Sequence, residues 1–447
     1  MKKALIVFCA FLLGHTAVNA QSRHVILISV DGLRPEFYKD PSWNMVHLRQ
    51  AMQEGVYADG VTGVFPTVTY PSHTTMISGV KPLKHGIYYN TPPEPLGITG
   101  KWNWEYKDIK TPTLFSAAKD KGLKTASLFW PVSVGSPATY NVPEYWYLKD
   151  KGKGRIMVKA LREHAQPRGF LEEMEEYATG KLDEQDFDGD YLAIDANLAR
   201  MGSYIVRKYK PAFMAVHLVT VDHFEHEEGR DGPKVRASVA AADRAIKDIL
   251  EAVQRAGIKD STTIIVTGDH GFVDIHSALA PNVLLAKAGL YDPQRPDNWK
   301  AYFHPAGGGA FLQLKDRNDQ QTKEKVLQLL KDLPIQQQNA FIIKTREELD
   351  AIGADATAAF GLAAQQGFTF SPAATGDFIR AAKGGTHGFY PDFKEIQTGF
   401  VAFGRGIRKG GVIPQMGLTD IAPLISHLLQ LNMPAGDGML YNGILAK

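Results

Sequence analysis

The chain of 447 residues reads as an α/β protein, a mostly parallel sheet flanked by helices with a smaller α+β capping insertion. Two observations predict this. Short apolar, β-branched runs recur along the chain, each followed by Asp, Pro or Gly, and stretches with helical spacing lie between them. The first run, residues 25–30 (VILISV), lacks polar alternation and predicts a strand buried on both faces. Residues 125–130 (TASLFW), 213–219 (FMAVHLV), 262–267 (TTIIVT) and 399–403 (GFVAF) repeat the pattern. Helices are predicted over 113–122, 191–209, 239–257 and 419–431. In the third, Ala242, Ile246, Ile249, Leu250 and Val253 form one apolar stripe.

Residues 287–383 break the rhythm, with Pro293, Pro296, Pro305, a Gly307-Gly308-Gly309 run and Gln336-Gln337-Gln338. They predict the capping insertion, leaving 21–286 and 384–447 as the core. The Pro- and Trp-rich stretch 90–106 predicts a rim loop.

The amino terminus predicts a signal peptide over residues 1–20. Lys2 and Lys3 precede a short apolar run, and Val18-Asn19-Ala20 supplies small residues for cleavage after Ala20. The run is too short for a membrane span, and no second long apolar run follows. A periplasmic or secreted location is expected. The single cysteine, Cys9, lies inside this segment. The mature chain therefore has no thiol for disulfides, catalysis or metal binding, and metal ligands must come from His, Asp and Glu. Removing Lys2 and Lys3 takes 50 basic residues to 48, against 48 acidic ones. A net charge near zero gives no support for a nucleic-acid or anionic-membrane surface.

Four clusters hold groups able to do chemistry. Asp31 ends the first strand. Phe65-Pro66-Thr67-Val68-Thr69-Tyr70-Pro71-Ser72-His73 precedes a helical start. Asp222 stands with His226. Gly268-Asp269-His270-Gly271 is matched far downstream by Gly384-Gly385-Thr386-His387-Gly388. Taken singly, each reads as a turn or helix cap, and His73, His85, His223 and His276 read as structural or surface histidines. Taken together, three aspartates and three histidines follow strands or lie in glycine-rich loops. Open parallel sheets bind ligands beyond the carboxyl ends of their strands. Six nitrogen and oxygen donors suit two zinc ions with open positions. Two such ions about 4 Å apart clamp an in-line phosphoryl displacement. A threonine hydroxyl is a weak nucleophile until a metal strips its proton. Thr69 lies where a helix is expected to open, and backbone N–H groups there favour an anion.

These motifs, in order, resemble the nucleotide pyrophosphatase/phosphodiesterase family of the alkaline phosphatase superfamily. The likeness runs from Ser29-Val30-Asp31-Gly32 through Pro66–His73, Gly79, Pro82, His85-Gly86-Ile87, Asn90 and Phe129-Trp130-Pro131 to the downstream aspartates and histidines. The resemblance implies that Asp31, Thr69, Asp269 and His270 hold the ion that activates Thr69. Asp222, His226 and His387 would hold the ion at the leaving group. Asn90 would hydrogen-bond a phosphoryl oxygen, and Tyr70 would meet a base or leaving group. The reaction implied is zinc-dependent hydrolysis of a small phosphate diester, such as a nucleotide, through a phospho-threonine. One departure concerns the pocket: Val132 follows Trp130-Pro131 where the pattern has Gly.

Rival readings are weighed on charge. A sulfatase of this superfamily would have Cys or Ser in place of Thr69 and Arg in place of His73. A phosphomonoesterase needs an extra cation for its more highly charged substrate. The stretch 131–147 contains no Lys or Arg, and Lys149 and Lys151 lie just beyond. A transferase acting on phospholipid head groups would use the same metals. A non-catalytic metal-binding protein would need the ligands without Thr69 and Asn90.

Overall fold

The computed structural model describes residues 22–96, 99–149, 154–188, 191–295 and 297–446. The signal segment 1–20, with Cys9, lies outside the described residues, as does Lys151. An eight-stranded sheet forms the centre. Its order is Gly411–Ile413, Val56–Ala58, Phe400–Gly404, Thr262–Thr267, His24–Val30, Phe213–Leu218, Thr125–Leu128, Tyr140–Val142. Only Phe400–Gly404 runs against the others, pairing antiparallel with both neighbours.

The apolar run at the centre is explained by burial on both faces. Side chains alternate across a strand, so Val25 and Leu27 enter one core while Ile26, Ile28 and Val30 enter the other. Phe213 and Ala215, against Met214, Val216 and Leu218, divide in the same way. The helices Tyr191–Tyr209 and Pro233–Arg255 cover one face with Leu198, Met201, Ile246 and Ile249. The helices Thr69–Ser78, Leu114–Asp120 and Ile421–Leu429 cover the other with Met76, Ile77, Leu114 and Ile425.

Several predicted boundaries move, and two of the shifts have a local cause. The helix expected from residue 239 begins at Pro233, because Pro supplies a preset first-turn φ and Val235 and Ser238 extend the buried face. The strand expected over 125–130 stops at Leu128, because Phe129 turns to φ 54°. Val132 also holds φ 54°. A β-branched residue there is strained by roughly 1–2 kcal/mol relative to an unstrained backbone, a conformation that glycine adopts without that penalty.

Two smaller sheets stand beside the core. One gathers Val273–Leu279, Gly367–Phe370, Ile379–Ala381 and Gly385–Thr386. The other is antiparallel, built from Ala301–Ala306, Gly309–Leu314, Gly361–Ala364 and Phe341–Lys344. Helices Gln320–Lys331 and Arg346–Ile352 accompany it, so α and β elements are mixed within 287–383.

Ile28 is fully buried in the central strand. Ile28→Ala should cost about 2–5 kcal/mol, as truncations in close-packed cores do. Urea unfolding would show this as a lower midpoint with an unchanged slope. A midpoint at the wild-type position would contradict the two-sided burial.

Candidate active site

The candidate metal ligands follow the ends of strands. Asp31 follows His24–Val30, and Asp269 and His270 follow Thr262–Thr267. The strand Phe213–Leu218 leads into the helix Thr220–Glu228, which carries Asp222 and His226 four residues apart and so on one face. Three parallel neighbours in register thus deliver their ends to one place. His387 arrives from the other side, just after Gly385–Thr386, which pairs with Val273–Leu279. Its loop fits closely. Gly388 has φ +86°, and a Cβ there would stand 1.9 Å from the Ala306 carbonyl oxygen.

The residues form two compact groups, Asp31–Asp269–His270 and Asp222–His226–His387, each with ligand-type atoms within 4.8 Å of one another. His270 Nε2 lies 3.2 Å from Asp31 Oδ1, 3.1 Å from Asp269 Oδ2 and 4.0 Å from Asp222 Oδ1. Asp222 Oδ1 also lies 3.4 Å from His226 Nε2 and 3.5 Å from His387 Nε2. The His270 and His387 rings stack at 3.6 Å. The two groups are therefore contiguous through Asp222.

Protons decide what this cluster can hold. His270 Nδ1 donates to the Gly271 carbonyl at 3.1 Å, His226 Nδ1 to that of Gly385 at 3.0 Å, and His387 Nδ1 to that of Thr67 at 3.0 Å. Each Nε2 then presents a lone pair, in the tautomer this network assigns. Burial keeps the His387 and His270 rings neutral, pushing His387 down to about 4 and His270 well below its ordinary value. Asp31 Oδ1, Asp222 Oδ1, Asp269 Oδ2 and His270 Nε2 are buried and make no hydrogen bond within the protein. Burial also pushes Asp31 up, with Asp269 and Asp222 adding to it, and Asp269 rises to about 7 for the same leading reason. Acceptor atoms packed against acceptor atoms fit divalent cations, and carbonyl-oriented imidazoles are how proteins present such ligands.

Thr69 is the first residue of the helix Thr69–Ser78 and is buried. Its neighbours tie it to the cluster. His387 bonds the carbonyl of Thr67. His73 Nδ1 donates to the Thr69 carbonyl at 2.8 Å and lies 3.7 Å from Asp269 Oδ2. Asn90 Oδ1 accepts from the Tyr70 amide at 2.8 Å, which ties Asn90 to the start of this helix.

Tyr70 differs from its expectation. Its ring is fully buried, edge-on to Trp102 at 5.2 Å, and Glu144 lies against its hydroxyl. A ring covered on all sides offers no face to a substrate; Trp102 is the half-buried aromatic there. The histidines read as structural separate. His85 is buried against Thr75, His276 is exposed, and His223 stacks on Tyr191 at 3.4 Å. His73 is buried between His217 and Trp130, against the cluster itself.

Sequence reasoning missed His217. It lies mid-strand, its Nε2 donating to Asp31 Oδ2 at 3.1 Å while Nδ1 faces the Phe129 carbonyl at 3.2 Å and Glu144 at 3.6 Å. Burial opposes a charge on this ring, yet Asp31 and Glu144 hold it well above the ordinary histidine value. It thereby orients Asp31, leaving Oδ1 toward the cluster. Its only sequence signal is a polar residue inside an otherwise apolar strand.

The chain is similar to several characterised proteins. Rat ectonucleotide pyrophosphatase/phosphodiesterase family member 7 is 24% identical over 284 residues, 61% of this chain and 55% of that one. The venom phosphodiesterase CdcPDE of Crotalus durissus collilineatus is 20% identical over 93% of this chain and 45% of its own length. The chain thus spans about half the length of these relatives. Murine ectonucleotide pyrophosphatase/phosphodiesterase 5 superposes with a TM-score of 0.65 at 19% identity, covering 93% of this chain and 97% of that one. An inactive threonine-to-alanine variant of it, in complex with AMP, superposes with a TM-score of 0.64 at 18% identity over the same shares of the two chains. At this identity the superposition establishes the alkaline-phosphatase-like fold. The family model for type I phosphodiesterase / nucleotide pyrophosphatase matches residues 25–390, and the chain belongs to that family.

Proposed function

We propose that this protein is a metal-dependent phosphodiesterase or nucleotide pyrophosphatase that works through a phospho-threonine at Thr69. The observation that carries the reading is the cluster of buried acceptors at the start of the Thr69 helix. Asp31, Asp269 and His270, with Thr69, would hold one zinc ion; Asp222, His226 and His387 would hold the second. Bound there, the ions supply Lewis acidity, easing loss of the threonine proton and offsetting phosphoryl charge.

Thr69 Oγ1 forms a bond to phosphorus as the leaving alcohol or phosphate departs with the electrons of its P–O bond. The hydroxyl proton passes to solvent. A water oxygen then replaces Thr69 Oγ1, releasing the phosphate product. Asn90 Nδ2 and the amides of the helix start donate to the non-bridging oxygens, where charge develops. In the murine relative, a threonine-to-alanine variant is inactive, in keeping with such a role.

The charge balance supports diesters over monoesters. Among the described residues, the ion-pair partners of Asp31, Asp222 and Asp269 are histidines, with no Lys or Arg. A dianionic monoester lacks the added cation it needs. The insertion, residues 287–383, is read as a cap over this end of the sheet. Its Gly308 amide bonds the His387 carbonyl at 2.8 Å, and Gly308 lies against Phe389. Export to the periplasm or medium is read from residues 1–20. Among the described residues, no helix is long and apolar enough to cross a membrane.

Thr69→Ala should lower kcat on a nucleotide diester by roughly a thousandfold or more, while Thr69→Ser stays within about tenfold of wild type. Two in-line displacements give net retention at phosphorus. A chiral phosphorothioate diester cleaved in labelled water reads this directly, and net inversion would remove Thr69 as nucleophile.

Chelation should abolish turnover and zinc should restore it, with elemental analysis finding about two ions per chain. Asp222→Ala and His387→Ala should each cost more than the roughly 10–100-fold typical of outer-shell partners, and His223→Ala much less. An active, metal-free protein would refute the metal assignment.

A further inference from the structure

We propose that Arg155 is a specificity-determining residue of this site, recognising a second anionic group on the substrate away from the scissile phosphorus; this rests on the phosphodiesterase reading above.

The rim beside Thr69 is aromatic and fixed in place. The Asn103 amide donates to the Asn90 carbonyl at 2.8 Å, and Asn103 Nδ2 to that of Tyr89 at 2.7 Å. This anchors Trp102, whose ring meets Tyr70 at 5.2 Å and Trp146 at 5.1 Å. Arg155 reaches the same rings from a two-stranded ribbon, Tyr147–Leu148 paired with Arg155–Ile156. Its guanidinium stands 4.3 Å over Trp146 and 6.0 Å from the centre of Trp102. The line from Thr69 through Tyr70 and Trp102 to Arg155 is thus an unbroken series of contacts.

Arg155 combines this place on the aromatic rim with the lack of an acid partner, whereas several other arginines are neutralised. Arg34 pairs with Glu36 and Glu225, Arg162 with Glu175, and Arg236 with Asp231. Among the described residues, no carboxylate forms an ion pair with Arg155. Glu144, close by in sequence, is turned to Tyr70 and His217. A guanidinium stacked on an indole keeps its in-plane N–H edge free, and that edge matches a phosphate or carboxylate in bidentate fashion. The stacked charge also excludes an alternative. Aromatic rims can cage quaternary ammonium groups, but here a cation already occupies the indole face and would repel another. The substrates favoured are therefore phosphate esters and anhydrides with a further anionic group, over those with neutral or cationic outer groups.

The zinc-loaded full-length protein is assayed on three probes. ATP carries additional phosphates, bis(p-nitrophenyl) phosphate has no second anion, and p-nitrophenyl phosphorylcholine has a cationic tail. Wild type should rank them in that order by kcat/KM. Arg155→Gln should lower the ratio of kcat/KM for ATP to that for bis(p-nitrophenyl) phosphate about tenfold or more, mostly through KM, the scale of one charge-assisted hydrogen bond. Arg155→Lys should keep part of the ratio. Both rates come from the same folded molecules, so partial misfolding cancels. An unchanged ratio in Arg155→Gln, or a wild-type preference for the phosphorylcholine ester, overturns the role of Arg155 while leaving the phosphodiesterase reading standing. A wild type inert on all three but active on p-nitrophenyl phosphate overturns that reading, and this proposal with it.

Discussion

Carboxylate oxygens of Asp31, Asp222 and Asp269 face imidazole nitrogens that have no proton to give them. The protons are held on the far side of each ring, by the carbonyls of Gly271, Gly385 and Thr67. While the carboxyls are ionised, such an arrangement is repulsive as protein alone, since lone pairs oppose lone pairs in a setting with little water to screen them. Cations turn it into an attraction. The carbonyls come from three separate segments, so the segments at 67, 271 and 385 must be in place together for the candidate ligands to point inward.

The rest of the molecule acts as a frame for that requirement. The sheet aligns the strand ends, with Ser29 opposite His217 on one side and Thr267 on the other. Behind the Asp222–His226 helix, Glu225 is fully buried and meets Arg34 Nε at 2.7 Å. Burial pushes Glu225 above its ordinary value and Arg34 opposes the shift. Removing one partner of such a pair typically costs about 3–5 kcal/mol, because the other charge is left buried alone. At the entry to the same helix, Asp195 accepts from the Val219 amide at 2.8 Å. The helix that presents two candidate ligands, Asp222 and His226, is thus tied down at its start and along its back.

The active end is asymmetric. The proposed metal-ligand side is built from sheet termini, while the Trp102–Trp146–Arg155 side is built from loops and a short ribbon. On the proposed function, the first side carries the chemistry, and the second, where a change of side chain leaves the sheet undisturbed, is where substrate choice is proposed to be set.

Local patterning in the sequence determined the sheet and its class. Five apolar runs became strands because a run without alternation can only be buried on both faces, and helices filled the intervals. It also determined which Asp and His residues stand at strand ends, since strand and turn are both local features. The groups Asp31–Asp269–His270 and Asp222–His226–His387 were readable as residues; their meeting, across more than 300 positions, follows from register and loop closure. Tertiary structure alone decided the rest. His217 and His73 look like filler in sequence, and only packing sets them against Asp31 and Asp269. Tyr70 follows Thr69 in the chain, yet Trp102 and Glu144 cover it. Arg155 carries no motif at all. Its significance lies in which rings it covers and which acids it lacks, and both depend on neighbours distant in sequence, which no local pattern encodes.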